Sequence, residues 1–256
     1  REATERVIAA LRDLKRSLMR HLLTYGPVPV GAADLVALQD TPTGPIPAHW
    51  RVVRLGEVVE KTQQVNPRRK PEAAFKYIDV SSVLRESLRI ESYREYIGKD
   101  APSRARKLVK AGDVIFATVR PYLKRIAVVP PDLDNEICST AFCVIRADAR
   151  YANELFLFYA VTDDKFVARV TEHQRGSSYP AVTDRDVLNE MIPLPSLTEQ
   201  KEIAHILQTV DRKIEAEENR KQALEALFKT LLHNLMTAKI RVPRTMVEGF
   251  ADHESG

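Results

Sequence analysis

The chain has 256 residues, 44% of them hydrophobic and 29% charged, with a formal net charge of +4 and a pI near 9.0. That balance supports a buried core and excludes a disordered chain, and no apolar run approaches the roughly 18 to 20 residues that span a bilayer. A charged, amphipathic N-terminus without an apolar signal core points to the cytoplasm and to no membrane partner.

Residues 4 to 24 carry Leu11, Leu14, Leu18 and Leu22 at helical spacing, and Gly26, Pro27 and Pro29 stop the helix. Residues 1–25 are therefore read as a helix, and the proline-rich stretch 26–49 as an extended connector. Because the chain starts at Arg1 with no methionine before it, it reads as a fragment of something longer. A globular region is expected over 50–195. Its strand candidates are 75–83, 113–119, 125–130 and 139–147, and its helix candidates are 55–61 and 153–172. This predicts an α/β (α+β) domain with a mixed, mostly antiparallel, curved sheet. Cys138 and Cys143 fall in one apolar run, where strand alternation turns them to opposite faces as reduced, structural thiols.

After Pro193 and Pro195 the character changes. Ser196 with Glu199 makes a capping-box pattern, and no Gly or Pro interrupts the chain to Ala238. Ile203, Leu207, Val210, Ile214, Leu224, Phe228, Leu231 and Leu235 follow a heptad that is broken where Glu217 and Lys221 occupy the seam. Residues 196–239 are thus expected to form one long coiled-coil helix of about 60 Å, followed by a polar tail at 240–256. The stretch Leu224 to Thr237 (LEALFKTLLHNLMT) keeps its leucine-class residues in register with Leu11 to Thr24 (LRDLKRSLMRHLLT). A repeated unit follows.

Catalytic constellations are missing. The nine glycines form neither GxGxxG nor a P-loop, there is no C-x-x-C, and the six histidines are too scattered for zinc. No catalytic residue, metal or cofactor is assigned to this chain, and an enzyme is not expected. Three polar loops carry the signal instead. TVRPYLKR presents Arg120, Tyr122, Lys124 and Arg125 on a proline-stiffened turn. RGSSYPAVT presents Arg175, Gly176, Ser177, Ser178 and Tyr179, and QQVNPRRKPE presents Arg68, Arg69 and Lys70. Residues 104 to 125 hold seven Lys/Arg against the single Asp113, whereas 199 to 239 balance seven against seven. Each loop taken alone is compatible with a solvated turn; three on one domain favour nucleic acid.

The order Trp50, FKYIDVSSV, VRPYLKRIAVVP, RGSSYPAVT and, above all, MIPLPSLTEQKEIAHILQTVDRKI running into a long helix resembles the specificity subunits of Type I restriction-modification enzymes. The resemblance implies a target recognition domain reading one half of a bipartite site in double-stranded DNA. It makes the helix of residues 1–25 a partial spacer helix. The flanking helices then pair with each other or dock partners. Those partners are adenine methyltransferase subunits, which carry S-adenosylmethionine, a restriction translocase subunit, and a second recognition half or a second copy of this chain. The competing reading is a coiled-coil adaptor whose α/β domain binds a polypeptide, and a specificity module of a fused restriction-methylation enzyme shares the same resemblance.

Overall fold

The computed structural model describes residues 2–176 and 178–237. Within them the chain forms two compact units, one of residues 18–207 and one of residues 2–17 with 208–237. The polar tail expected at 240–256 lies outside the described residues.

Five α-helices organise these residues: α1 (Glu2–Tyr25), α2 (Glu154–Thr162), α3 (Asp164–Glu172), α4 (Asp184–Asn189) and α5 (Leu197–Met236). The strands before residue 100 are β1 (Leu38–Thr41), β2 (Gly44–Pro47), β3 (Arg51–Arg54), β4 (Val59–Glu60), β5 (Ala74–Ile78), β6 (Val83–Leu84), β7 (Arg89–Ile90) and β8 (Arg94–Ile97). The later ones are β9 (Ala105–Leu108), β10 (Val114–Ala117), β11 (Ile126–Val128), β12 (Ile137–Ser139), β13 (Phe142–Ala147) and β14 (Met191–Leu194). Two four-stranded sheets, ordered β11-β10-β13-β4 and β8-β5-β12-β9, carry the unit 18–207. Every pairing is antiparallel except β12 with β5. The expected mixed, mostly antiparallel domain with a long helix is therefore observed.

Strand β10 and residues 142–145 of β13 are apolar because both faces of their sheet are covered. Val114, Phe116, Cys143 and Ile145 enter one cluster with α2, α3, Leu22 and Trp50. Ile115, Ala117, Phe142, Val144 and Cys138 enter the other, with Ile78 and Val83. The two cysteines thus lie in different clusters, reduced and buried. Burial pushes the Cys138 thiol up to about 12, and the Cys143 thiol is raised for the same reason. Both are inert packing groups.

Three local expectations change. The stretch 26–49 is not an extended connector: Val30–Leu35 is a 3-10 turn, and β1 pairs with β2 in a hairpin that buries Ile46. Prolines at hairpin ends and edges do not prevent pairing. Residues 55–61 split into the 3-10 turn Leu55–Glu57 and β4, because β4 is drawn into register with Arg146 and Ala147 of β13. The single helix expected over 153–172 breaks at Asp163. There the Lys124 ammonium caps the Thr162 carbonyl at 3.1 Å and pairs with Asp164, while the Asp163 carboxylate accepts from the Lys165 amide at 3.0 Å to start α3.

The capping box that opens α5 is present. The Ser196 amide and hydroxyl donate to the Glu199 carboxylate at 3.0 and 2.7 Å, and the Glu199 amide donates to the Ser196 hydroxyl at 3.3 Å. Glu199 does more than cap. The indole of buried Trp50 donates to it at 2.9 Å, and His49 Nε2 lies 2.8 Å from the same oxygen. Gln200, fully buried, accepts from the Asn153 amide at 2.8 Å and donates to the carbonyls of Tyr151 and Pro195 at 3.0 Å. The T-E-Q segment is thereby the clasp between the start of α5 and the sheets.

In the unit 2–17 with 208–237, α1 and α5 run antiparallel: Lys15 pairs with Asp211 at 2.6 Å, Arg12 with Glu218 at 2.8 Å and Glu5 with Lys221 at 2.9 Å. Ile8 and Ile214 are buried in this seam, and Glu217 is buried among Lys213 and Arg220. The polar break in the heptad is thus a set of interhelix and local ion pairs. Leu14, expected on the seam, is exposed. Between half-buried Leu11 and Leu18 the spacing permits 14 or 15 to face inward, and Lys15, with its Asp211 partner, takes that place.

Candidate nucleic-acid interface

The β10–β11 connection carries the first loop. Thr118 is locked to the Ala141 carbonyl by its amide and its hydroxyl, at 2.8 and 2.9 Å. Next, Val119 bridges to Ala181, the Arg120 amide donates to the Pro180 carbonyl at 2.8 Å, and the Val182 amide donates to Thr118 at 2.9 Å. Arg175 and Ala181 exchange both backbone bonds, at 2.9 and 3.0 Å, with Gly176 at φ +92° supplying the reversal between them. A short ladder therefore stitches 118–120 to 175–182, loops that are more than fifty residues apart in sequence.

Arg120 and Lys124 bracket the 3-10 turn Pro121–Leu123, both left-handed, at φ 50° and 49°. A non-glycine residue held there costs on the order of 1–3 kcal/mol and persists only where its surroundings fix it. The ladder to 180–182 supplies that constraint at Arg120, and the Thr162–Asp164 cap supplies it at Lys124. The Arg120 guanidinium lies 5.3 Å from the Tyr179 ring centre and donates to the Ser178 carbonyl at 3.3 Å. Tyr122 and Tyr179 are exposed, Tyr179 to 75%.

Arg175 reaches Asp186 of α4 at 3.2 Å. The Thr183 amide and hydroxyl each donate to that carboxylate at 2.8 Å, holding its pKa below the usual range with help from Arg175. Thr183 and Asp186 close a capping box on α4. Beside it, buried Lys107 of β9 pairs with Asp184 and donates to the Phe142 carbonyl at 2.6 Å.

The third loop enters along β9: Gln64 bridges to Lys107, and the Val65 amide donates to Arg106 at 2.7 Å. Its tip, the 3-10 turn Pro67–Arg69, is capped by Asn66, and Arg68 donates to the Ala101 carbonyl at 3.0 Å. Arg69 and Lys70 remain exposed there.

Of the residues named from sequence, the structure brings Arg120, Tyr122, Arg175, Gly176, Ser178 and Tyr179 onto two stitched loops, while Ser177 lies outside the described residues. Lys124 and Arg125 do not present free head groups. Lys124 caps α2, and Arg125 donates to the Val83 carbonyl at 2.6 Å, clamping the 80–83 turn. Carbonyls left bare by a helix end and a turn attract these cations inward. Thr183, Asp186 and the Lys107–Asp184 pair escaped the sequence reading. T-D-R-D at 183–186 matches a capping box and was legible; Lys107 had no local signal, because its partner is 77 residues away. Among the described residues, no three His, Cys, Asp or Glu side chains converge to hold a metal, and no helix is long and apolar enough to cross a membrane.

Residues 47–226 match the family model of the Type I restriction modification DNA specificity domain. The chain belongs to this family. The matched range holds both interface loops and the Trp50–Glu199 clasp. Among solved structures, the specificity domain is similar to the HsdS subunit from Thermoanaerobacter tengcongensis, with 47% identity and a TM-score of 0.62, covering 73% of this chain and 47% of that one. It is also similar, at 43% identity and a TM-score of 0.62, to a chain from a structure of complex assembly and conformational transition in the type I R-M system, covering 77% of this chain and 52% of that one. The MjaVIII specificity subunit of Methanocaldococcus jannaschii is 26% identical over 92% of this chain and 55% of its own length. This chain spans about half the length of the specificity subunits it matches over most of its length.

Proposed function

We propose that this chain is a DNA sequence-recognition half that reads one part of a bipartite site and performs no chemistry itself. It directs adenine methyltransferase subunits to that site, and through them a restriction translocase subunit. The observation that carries this reading is the backbone ladder joining 118–120 to 175–182, two loops on which Arg120, Tyr122, Ser178 and Tyr179 are exposed, in a chain of the DNA specificity family. Fixed, exposed donors and rings suit base edges; exposed Arg69, Lys70, Arg104 and Arg185 suit phosphates. Lys124 and Arg125 take a positioning role within the loop. S-adenosylmethionine belongs to the methyltransferase partner in this scheme, and the complex works in the cytoplasm.

A gel shift with the purified chain and a random-sequence duplex tests the reading. A shifted band that weakens steeply with added salt is expected, since phosphate contacts release counterions. No shift at low salt, with a folded protein, would leave the polypeptide-binding adaptor as the better account.

The second half is proposed to be another copy of this chain. Leu18 and Leu22 of α1 pack on the core of the unit 18–207, whereas their register equivalents in α5, Leu231 and Leu235, are exposed, together with Leu224, Leu227 and Phe228. An apolar stripe of that length on a soluble helix marks an interaction surface. A homodimer closed by a twofold axis is expected at concentrations on the order of tens of micromolar, reading a palindromic interrupted site. Light scattering should show Leu224→Glu with Leu231→Glu as a monomer, and its melting temperature should fall below that of the parent at the same concentration, because the stabilisation supplied by association is lost. A parent chain that is already monomeric would sink the pairing.

A further inference from the structure

Four cations lie on the two stitched loops, and three of them are spoken for. Lys124 caps the Thr162 carbonyl, Arg125 holds the Val83 carbonyl, and Arg175 meets Asp186. Arg120 differs. Among the described residues its guanidinium makes one hydrogen bond, to the Ser178 carbonyl at 3.3 Å, out of five N–H donors. The plane is held all the same, by the Tyr179 ring 5.3 Å away and by a backbone fixed in the left-handed region.

We propose that Arg120, supported by Tyr179, is the base-reading residue of this surface and takes the N7 and O6 acceptors of a single guanine in the major groove. The proposal rests on the DNA-recognition reading above. A guanidinium has donors only, so it matches guanine's two adjacent acceptors and is mismatched to the exocyclic amino groups of adenine and cytosine. A phosphate contact needs no fixed plane, because a flexible point charge serves as well. Here the side chain is already ordered against a ring and the loop is already strained, so little freedom is lost when the fork engages. Tyr179 is therefore a positioning residue: its π face sets the guanidinium plane, and its hydroxyl is not required.

Selection from a randomised duplex library by the purified chain tests this, followed by binding to the selected site. Arg120→Lys keeps the charge and loses the fork; Arg120→Asn tolerates the left-handed backbone and controls for folding. Both should relax the preference at one guanine position by roughly five- to a hundredfold and leave the other positions unchanged. Replacing that guanine by 7-deazaguanine, which lacks the N7 acceptor, should weaken the parent chain and leave Arg120→Asn unaffected. Tyr179→Phe should keep the preference, and Tyr179→Leu should reduce it. A motif unchanged in both Arg120 variants, or a uniform loss across all sequences, overturns the assignment while the DNA-recognition reading stands. A folded parent chain that enriches no motif overturns both.

Discussion

Asp113→Ala is expected to cost about 3 to 5 kcal/mol of folding stability, the range for breaking a buried ion pair by removing one partner. The Asp113 side chain is 2% exposed and accepts two parallel bonds from Arg146, at 2.8 Å from Nε and 2.6 Å from Nη2. It also accepts from the Lys110 amide at 2.8 Å, which closes the turn into β10. Alanine strands the Arg146 guanidinium in a site where it is 13% exposed. Hydrogen bonds to Asp113 raise that guanidinium's pKa, and a guanidinium stays protonated at neutral pH even without such a partner, so the charge persists after Asp113 is gone. The chemical-denaturation midpoint should fall with little change in slope. Asp113→Leu combined with Arg146→Met should recover most of the loss, because burying an ion pair costs desolvation that an apolar pair avoids. A double variant no more stable than Asp113→Ala would assign the cost to the Lys110 turn instead.

Glu199 gives the second large effect, and it depends on pH. Burial pushes its pKa up, but bonds from the Trp50 indole, His49 and Ser196 outweigh burial and hold it at about 2, against 4.5 for the free group. The folded value is depressed, so the stabilisation is fully present above pH 4.5 and is lost as pH falls toward 2. A shift of that size is worth up to about 3 kcal/mol. Glu199→Gln, which can still accept from Trp50, should remove most of this pH dependence. Glu199→Ala should lower stability at pH 7 by about 2 to 4 kcal/mol, since it also leaves the buried indole N–H without an acceptor. Stability curves for the parent and Glu199→Gln measured between pH 6 and 2.5 test this. Parallel curves would show that Glu199 has no special role in acid sensitivity.

Local patterns determined much of this molecule. The capping box at Ser196 and Glu199, the heptad with its polar break at Glu217 and Lys221, and the apolar runs that became β10, β11 and β13 were all legible, because each depends on residues within one or two turns of one another. The two loops with arginine and tyrosine beside proline were legible for the same reason. Pairing decided the rest. Whether Leu14 or Lys15 faced the seam depended on Asp211, 196 positions away. Asp163 became a helix break because Lys124 of a distant loop reached the end of α2. The proline-rich stretch folded into a hairpin because Ile46 found the core cluster that also holds Trp50. Which cations were free to meet a ligand was decided in the same way. Arg120, Lys124 and Arg125 look equivalent within TVRPYLKR, yet Lys124 and Arg125 are drawn inward to a helix end and a turn, whereas Arg120 stays exposed with one long bond to the Ser178 carbonyl. A charged side chain takes the nearest unsatisfied acceptor, and that acceptor's position is set by tertiary contacts that no local window contains.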